Sequence, residues 1–527
     1  MQNRNWNAIF IFFFFLLLIL RLATGLGALV HFDEPFWMAR GDFLLQALSE
    51  GNWEALQESH WSVQGEEGQR TIFNSYIGNG FGTAFLTGFG RLFMELFADL
   101  DDIDQVLIEI FLSRLFHIAC SVLTPLLLLM LAGRLGLSRI GQLWFFLYLI
   151  FDPIFLEMGS RAHLESFLTF TIPVALMLYA LGHKRDSLIL YVLSGIVFGL
   201  AFATRVNAAV VMLAALAYSA IQIFFSRQSK NTTVCDKGEK EIIRFLLFCM
   251  VGWVVFIVCF PPLWTTPFFG FADFLYQKAS WVGGDNLRFG SRLEVLDSFH
   301  WTESKLRFSF LLLSIVGFFF KPVRSSRGFQ LGALLLVFGV IIVSFPEKFY
   351  SRYLASCLPG LALMGSSTIA YVLTANKQWV RRLSRLSIVA MLIFFTLLAC
   401  SITLDRLSMV KQVRKFYGIL NDQDFSRIEV PTLSSAFLQT DVDHTGPTLF
   451  LRGGYGGGSH VQLFYLGVGV TDLRRFHQLG SGWTRESLEN SFPCGRTDWR
   501  LGRPWARDLT RLNGMQLGEL TAWQCKE

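Results

Sequence analysis

Long apolar runs alternate with short polar breaks along this chain, and the runs are of membrane length. Ala8–Val30 comes first, then Val106–Leu131, Ile140–Phe155, His163–Leu181, Leu188–Ala203, Asn207–Phe225 and Ile242–Phe260. Phe308–Phe320, Phe329–Phe345, Tyr353–Leu373 and Leu386–Leu404 complete the series. A helix of about 20 apolar residues crosses a hydrocarbon core of about 30 Å, so the pattern predicts an all-α polytopic membrane protein of about 11 spans. No small-residue cleavage site separates the first run from the acids after it, which predicts an uncleaved first helix. A long polar loop, residues 31–105, follows that helix. It carries two amphipathic pieces, Phe43–Leu48 and Phe85–Phe97, that suit the membrane interface. From Asp405 to Glu527 the apolar runs shorten, as in Pro447–Leu451 and Gln462–Val470, between turn-rich segments. This tail reads as a small α/β or irregular domain, separate from the membrane module of residues 1–404.

Charge gives the runs a direction. The breaks with Arg134 and Arg139, with Lys184 and Arg185, and with Arg227, Lys230, Lys237 and Lys240 are basic, as are those with Lys321, Arg324 and Arg327 and with Lys377, Arg381, Arg382 and Arg385. By the positive-inside rule these loops and the N-terminus face the cytoplasm. The acid-rich first loop, the Pro261–Lys305 segment, the Pro346–Arg352 turn and the tail then share the exported side. Only 16% of residues are charged, against about 25% in a soluble domain. A net charge of +6, spread over loops, is no nucleic-acid footprint. Asn231-Thr232-Thr233 has the glycosylation spacing but falls on the cytoplasmic side, which leans toward a bacterial inner (plasma) membrane. Cys494 and Cys525 share the exported tail, where a disulfide is compatible with the compartment.

The chemistry-bearing residues gather on the exported side. His31-Phe32-Asp33-Glu34 ends the first helix, and two adjacent carboxylates there are costly unless solvated, paired or used. Asp152-Pro153 and Ser160-Arg161-Ala162-His163-Leu164-Glu165 border one helix pair. Arg205 and Asn207 border another, and Lys348-Phe349-Tyr350-Ser351-Arg352-Tyr353 precedes a late helix. Acids and bases converging on one mouth of a bundle, beside an apolar flank, suit one reaction class. A sugar carried on a polyprenyl phosphate stays in the membrane. Its departing phosphate needs cations, here Arg352, Lys348, Arg161 or Arg205. The acceptor hydroxyl or amine loses a proton to a carboxylate, for which Asp33 is the candidate.

Those segments, together with Gly199-Leu-Ala-Phe-Ala-Thr-Arg205-Val-Asn207, resemble the GT-C glycosyltransferase superfamily. The likeness is to its protein O-mannosyltransferase and aminoarabinose-transferase branch, over about Asp33 to Pro359. The resemblance implies an inverting transfer from a polyprenyl-phosphate sugar to a protein, lipid or glycan acceptor. Asp33 is then the base, with Glu34 beside it in the catalytic pair. Arg352 and Tyr353 lie near the donor phosphate, and Glu165, His163 and Tyr350 support the acceptor side. One departure is plain: Glu165 stands where the family usually has Asp, and the extra methylene moves the carboxylate. The tail matches no part of the family.

Plainer readings remain for several residues. Arg161 and Glu165 are four apart and would pair on one helix face. His163 reads better as a packed or snorkelling residue. Asp102-Ile103-Asp104 has the spacing of a metal-dependent transferase motif, yet before a helix it reads better as a cap, and no cofactor is expected. Arg452-Gly-Gly-Tyr-Gly-Gly-Gly458 lacks the lysine of a phosphate loop and reads as a flexible turn. A flippase for a lipid-linked glycan is the main alternative, but its charges belong near mid-membrane rather than at one edge. A non-catalytic, glycan-binding member of the same fold is the other.

Overall fold

In a computed structural model of the chain, the described residues are 3–27, 34–57, 60–65, 68–74, 80–97, 102–228, 234–283, 292–344, 351–375, 390, 393–408 and 410–411 in the body. In the tail they are 427–429, 437–439, 448–452, 499–502, 515–517 and 520–524. Asp33, Lys348 and Tyr350, singled out above, lie outside them, as do Cys494, Cys525 and the glycine run 453–458.

Helix α1 (Asn3–Gly27) leads into the first loop, which is folded. It holds α2 (Glu34–Ser49), α3 (Trp53–Gln57), an antiparallel hairpin of β1 (His60–Gly65) and β2 (Gly68–Asn74), and α4 (Phe81–Arg91). The body continues through α5 (Asp102–Leu135), α6 (Arg139–Phe151), α7 (Pro153–Met158), α8 (Leu164–Arg185), α9 (Leu188–Thr204), α10 (Ala209–Gln228) and α11 (Val234–Val258). After these come α12 (Phe269–Gly283), α13 (Arg292–Asp297), α14 (Lys305–Phe319), α15 (Lys321–Arg324), α16 (Arg327–Val343) and α17 (Leu358–Ala375). Residues 393–408 form a last helix, which runs a few residues past the boundary expected at Asp405.

Among the described residues, each apolar run read from the sequence lies largely on helix. One run is broken. Ile140–Phe155 splits into α6 and α7 because Asp152 is extended and caps Ile154 N at 3.0 Å, while Pro153 has no N–H to continue α6. Among the described residues five stretches are long and apolar enough to cross a membrane: Trp6–Gly27, Ile108–Leu135, Leu164–Arg185, Val206–Phe224 and Gly238–Val258. Large apolar side chains such as Leu123, Ile189, Leu216, Met250 and Val258 face outward, as lipid contact requires.

In the tail, β3 (Arg427–Glu429), β4 (Phe437–Gln439), β5 (Thr448–Arg452), β6 (Trp499–Gly502), β7 (Met515–Leu517) and β8 (Leu520–Gln524) form one sheet in the order β4-β3-β5-β6-β8-β7. The β3–β5 and β5–β6 pairs are parallel and the others antiparallel. The sheet lies in the tail read as a small α/β or irregular domain, and the hairpin adds strands to the first loop of a module read as all-α.

Packing follows membrane rules: apolar side chains gain little by leaving lipid, so close backbone approach matters. Phe13, Leu17 and Leu20 of α1 pack on Phe146, Leu147 and Ile150 of α6, joined by Phe395 of the last helix. Where α16 crosses α17, Gly332 and Gly360 face each other, and a Cβ on either would sit 2.5 Å from the other's carbonyl oxygen. The first loop uses the same device. A Cβ on Gly41 of α2 would lie 2.5 Å from the Gly88 nitrogen of α4, and one on Gly88 would strike the Gly41 carbonyl. Arg91 closes this crossing by donating to Asp42 at 2.7 Å and to Glu109 of α5 at 2.5 Å. Burial opposes the Arg91 charge, but Glu109 and Asp42 outweigh it and hold its pKa above the usual value.

The outward face of α4 carries a ladder of rings. Phe81, Phe85 and Phe89 stack at 6.0 Å spacings, and Phe93 and Phe116 extend the row. Its inward face is Gly82, Thr83, Ala84, Thr87, Gly88 and Gly90. This is the amphipathic piece expected from Phe85–Phe97. Gly88→Val is expected to push α4 off α2 and to destabilise the protein by about 1–3 kcal/mol. Thermal melts of the detergent-purified protein check this, and an unchanged midpoint would refute the crossing.

Candidate active site

The site is built on a buried ion pair that the sequence reading did not pair. Glu34 opens α2, and Arg114 lies in the middle of α5. Arg114 Nε and Nη2 donate to Glu34 Oε1 and Oε2 at 2.7 and 2.6 Å, and neither side chain has exposed surface. Arg114 Nη1 also donates to Gly25 O at 2.6 Å, and Ala162 N donates to Glu34 Oε1 at 2.9 Å. One guanidinium therefore binds the chain on both sides of residues 28–33. One carboxylate also joins that region to the turn before α8. Glu34 stands here as a structural carboxylate, fully engaged by its partners.

The second half of the site lies at the start of α8. His163 is extended and precedes the helix, so Glu165 falls in the first turn, where the helix dipole favours an acid. Arg205 Nη1 donates to Glu165 Oε1 at 2.6 Å, and His163 Nδ1 faces Glu165 Oε2. Arg205 is the extended residue that ends α9. Its guanidinium lies 4.2 Å from the centre of the Tyr353 ring, and that of Arg352 lies 5.8 Å from the same ring. Cation–π contact of this kind lets one aromatic ring attract two like charges. Four segments distant in sequence thus meet: the 161–165 turn, the end of α9, the 351–356 turn and, through Ala162, the start of α2.

Two readings change. Arg161 does not pair with Glu165. Its Nη2 donates to Glu157 Oε1 at 2.8 Å instead, because residues 159–163 are not helical and α8 begins only at Leu164. Asp152 is held inside the bundle by Arg307 Nε at 3.2 Å and caps α7. Nearby, the buried Arg21 donates to Leu149 O and Phe155 O, carbonyls in the last turns of α6 and α7, whose dipole ends favour a cation.

Sequence reasoning missed Arg114 and also His117, one turn later on α5. Both have no exposed surface. His117 Nε2 is 3.0 Å from Thr87 Oγ1 of α4, and Nδ1 is 2.5 Å from Ser166 Oγ of α8. A charge and an imidazole inside the apolar run Val106–Leu131 were the available signal. Among the described residues, no three His, Cys, Asp or Glu side chains converge as a metal cage.

Comparison with solved structures decides the architecture. Two crystal structures of ArnT from Cupriavidus metallidurans, one bound to undecaprenyl phosphate and one in the apo state, superpose with TM-scores of 0.53 and 0.52. Each alignment covers 99% of this chain and 98% of that one, at 12% identity. The fold is that of a GT-C membrane glycosyltransferase. A family model described as dolichyl-phosphate-mannose-protein mannosyltransferase matches residues 98–266. That stretch holds Arg114, His117, Arg161, His163, Glu165 and Arg205 and stops short of Arg352. No curated protein matches. The resemblance read from the sequence to the O-mannosyltransferase and aminoarabinose-transferase branch of this GT-C fold agrees with both findings.

A buried pair that loses one partner leaves an uncompensated charge. Arg114→Met alone is expected to cost about 3–5 kcal/mol. The double variant Arg114→Met/Glu34→Gln keeps an acceptor for Ala162 N and should regain much of that loss. Thermal unfolding of the single and double variants checks the coupling. A double variant no more stable than Arg114→Met would refute it.

Proposed function

We propose that this protein moves a sugar from a polyprenyl-phosphate donor to an acceptor at the exported face of the membrane, with inversion at the anomeric carbon. The observation that carries the reading is the meeting of Glu165, Arg205, Arg352 and Tyr353 beside the turn that Glu34 binds. The ArnT structure bound to undecaprenyl phosphate supports a lipid-phosphate donor for this fold, and the mannosyltransferase family match supports sugar transfer.

In this reading Asp33 is the general base. It directly precedes Glu34, which is tied to Ala162 N, and Gly25 upstream is tied to the same Arg114. The acceptor loses its proton to the Asp33 carboxylate as its oxygen or nitrogen attacks the anomeric carbon. The bond from that carbon to the phosphate oxygen breaks on the opposite face, and the polyprenyl phosphate departs with the electron pair. Arg352 and Arg205, braced on Tyr353, meet the charge that develops there, with Lys348 and Arg161 as further cations. Glu165 and His163 hold Arg205 in place. The apolar flanks of the bundle keep the lipid tail in the membrane while its head reacts. Charges grouped at one end of the helices favour chemistry over a flippase, whose broken helices carry charge near mid-membrane.

Two measurements test the reading. Asp33→Asn is expected to lower transfer by about 100- to 10,000-fold, the usual weight of a general base, while the purified protein still binds undecaprenyl phosphate. Full transfer by this variant would remove Asp33 as the base. Arg352→Ala is expected to weaken undecaprenyl-phosphate binding by about tenfold or more, the worth of a charge-assisted contact. Unchanged affinity would take Arg352 out of the phosphate site.

A further inference from the structure

We infer that His117 is a positioning residue that locks the acid-bearing first loop onto the cation-bearing start of α8. Its kinetic consequence rests on the transferase reading above. The ring sits on α5 with no exposed surface, and each nitrogen meets a different helix. Ser166 Oγ donates to His163 O at 2.7 Å. A hydroxyl has one proton to give, so in the 2.5 Å contact with His117 the Ser166 oxygen accepts and Nδ1 carries the hydrogen. Nε2 lies 3.0 Å from the Thr87 hydroxyl, and the ring also meets the Thr83 backbone of α4. The contacts run from α4 through His117 and Ser166 to the His163 carbonyl.

Both ends of that run touch the site. His163 faces the Glu165 carboxylate that holds Arg205. Thr87 lies next to Gly88, the contact of α4 with Gly41 on α2, and α2 begins with Glu34. Arg114, which grips Glu34, is one turn before His117 on α5. The imidazole thus spans from α4, which packs on the α2 that begins with Glu34, to α8, which carries Glu165. An imidazole bridges both contacts with one rigid ring. Asn places a donor where Nδ1 stands and keeps the Ser166 contact. Gln reaches only the Nε2 position and loses it. A misplacement of about 1 Å between two reacting groups costs about 100-fold in rate, so the tie matters for turnover more than for donor binding.

The test uses the full chain in detergent, with undecaprenyl phosphate as binding probe and a polyprenyl-phosphate sugar as donor. His117→Gln and His117→Leu are expected to lower kcat per folded molecule by about 10- to 100-fold with KM for the donor little changed. His117→Asn is expected to keep turnover within about threefold of the parent, since it restores the donor to Ser166. Adding Ser166→Ala to His117→Gln should slow it no further. Equal turnover per folded molecule in all variants, or loss in His117→Asn as deep as in His117→Gln, overturns the inference. If the parent protein binds the lipid but transfers no sugar, the transferase reading falls by itself. The tie is then decided by thermal melts of His117→Gln, Ser166→Ala and the double variant: non-additive midpoints support it, additive ones overturn it.

Discussion

Everything at the candidate site depends on one buried ion pair, Glu34 with Arg114. Taking both charges out of water is expensive, and even a bidentate pair seldom repays that cost against apolar side chains of similar volume. The return here is geometric. Arg114 reaches Gly25 O as well as both oxygens of Glu34, and Glu34 reaches Ala162 N. The end of α1, the start of α2, the middle of α5 and the turn before α8 are therefore fixed to one point. In lipid, where apolar packing gives little orientation, such a polar knot sets which faces of the helices meet.

The opposite ends of the same helices are tied differently. There His183 Nδ1 lies 3.0 Å from Glu241 Oε1, and Arg244 pairs with Glu241 at 2.6 Å and with Asp186. Asp186 adopts a left-handed conformation at the end of α8, with φ of 55°. Tyr179, Tyr191 and Tyr218 pack beneath this cluster, and Tyr179 meets Ser219 at 2.7 Å. Between the two polar ends, α8, α9 and α11 meet through apolar and small residues. The bundle is thus clamped at both rims. Among the described residues, the rim with Glu165 and Arg205 adds an aromatic ring, Tyr353, approached by two guanidinium groups.

The helical body was legible because membrane length and apolarity are set by composition, which needs no partner to read. Helix ends were legible where a Pro or a cap marks them, as at Asp152-Pro153, although the apolar run continues past it into α7. The convergence of Glu165, Arg205, Arg352 and Tyr353 followed from sorting loops by charge, since residues on one rim have few places to go. The pairing among them was not legible. Arg161 and Glu165 have helical spacing, yet the extended His163 delays α8, and each finds another partner. Arg114 and His117 escaped because they sit inside an apolar run, where hydropathy averages a single polar residue away. The hairpin in the first loop carries no strong alternation, so pattern reading passed over it.

The chain's departure at Glu165 has a physical sense once its partners are seen. An Asp in that turn, one methylene shorter, would lie farther from Arg205, which enters from the end of α9. The Glu165 carboxylate instead meets Arg205 with one oxygen and His163 with the other. A carboxylate so committed is a poor base, because removing its charge would release a guanidinium already stacked on Tyr353. Its work in the proposed reaction is to hold that guanidinium against the repulsion of Arg352 across the same ring. The division of labour follows from the environment of each acid. Glu34 and Glu165 are buried and paired, so each carboxylate is committed to holding a guanidinium in place.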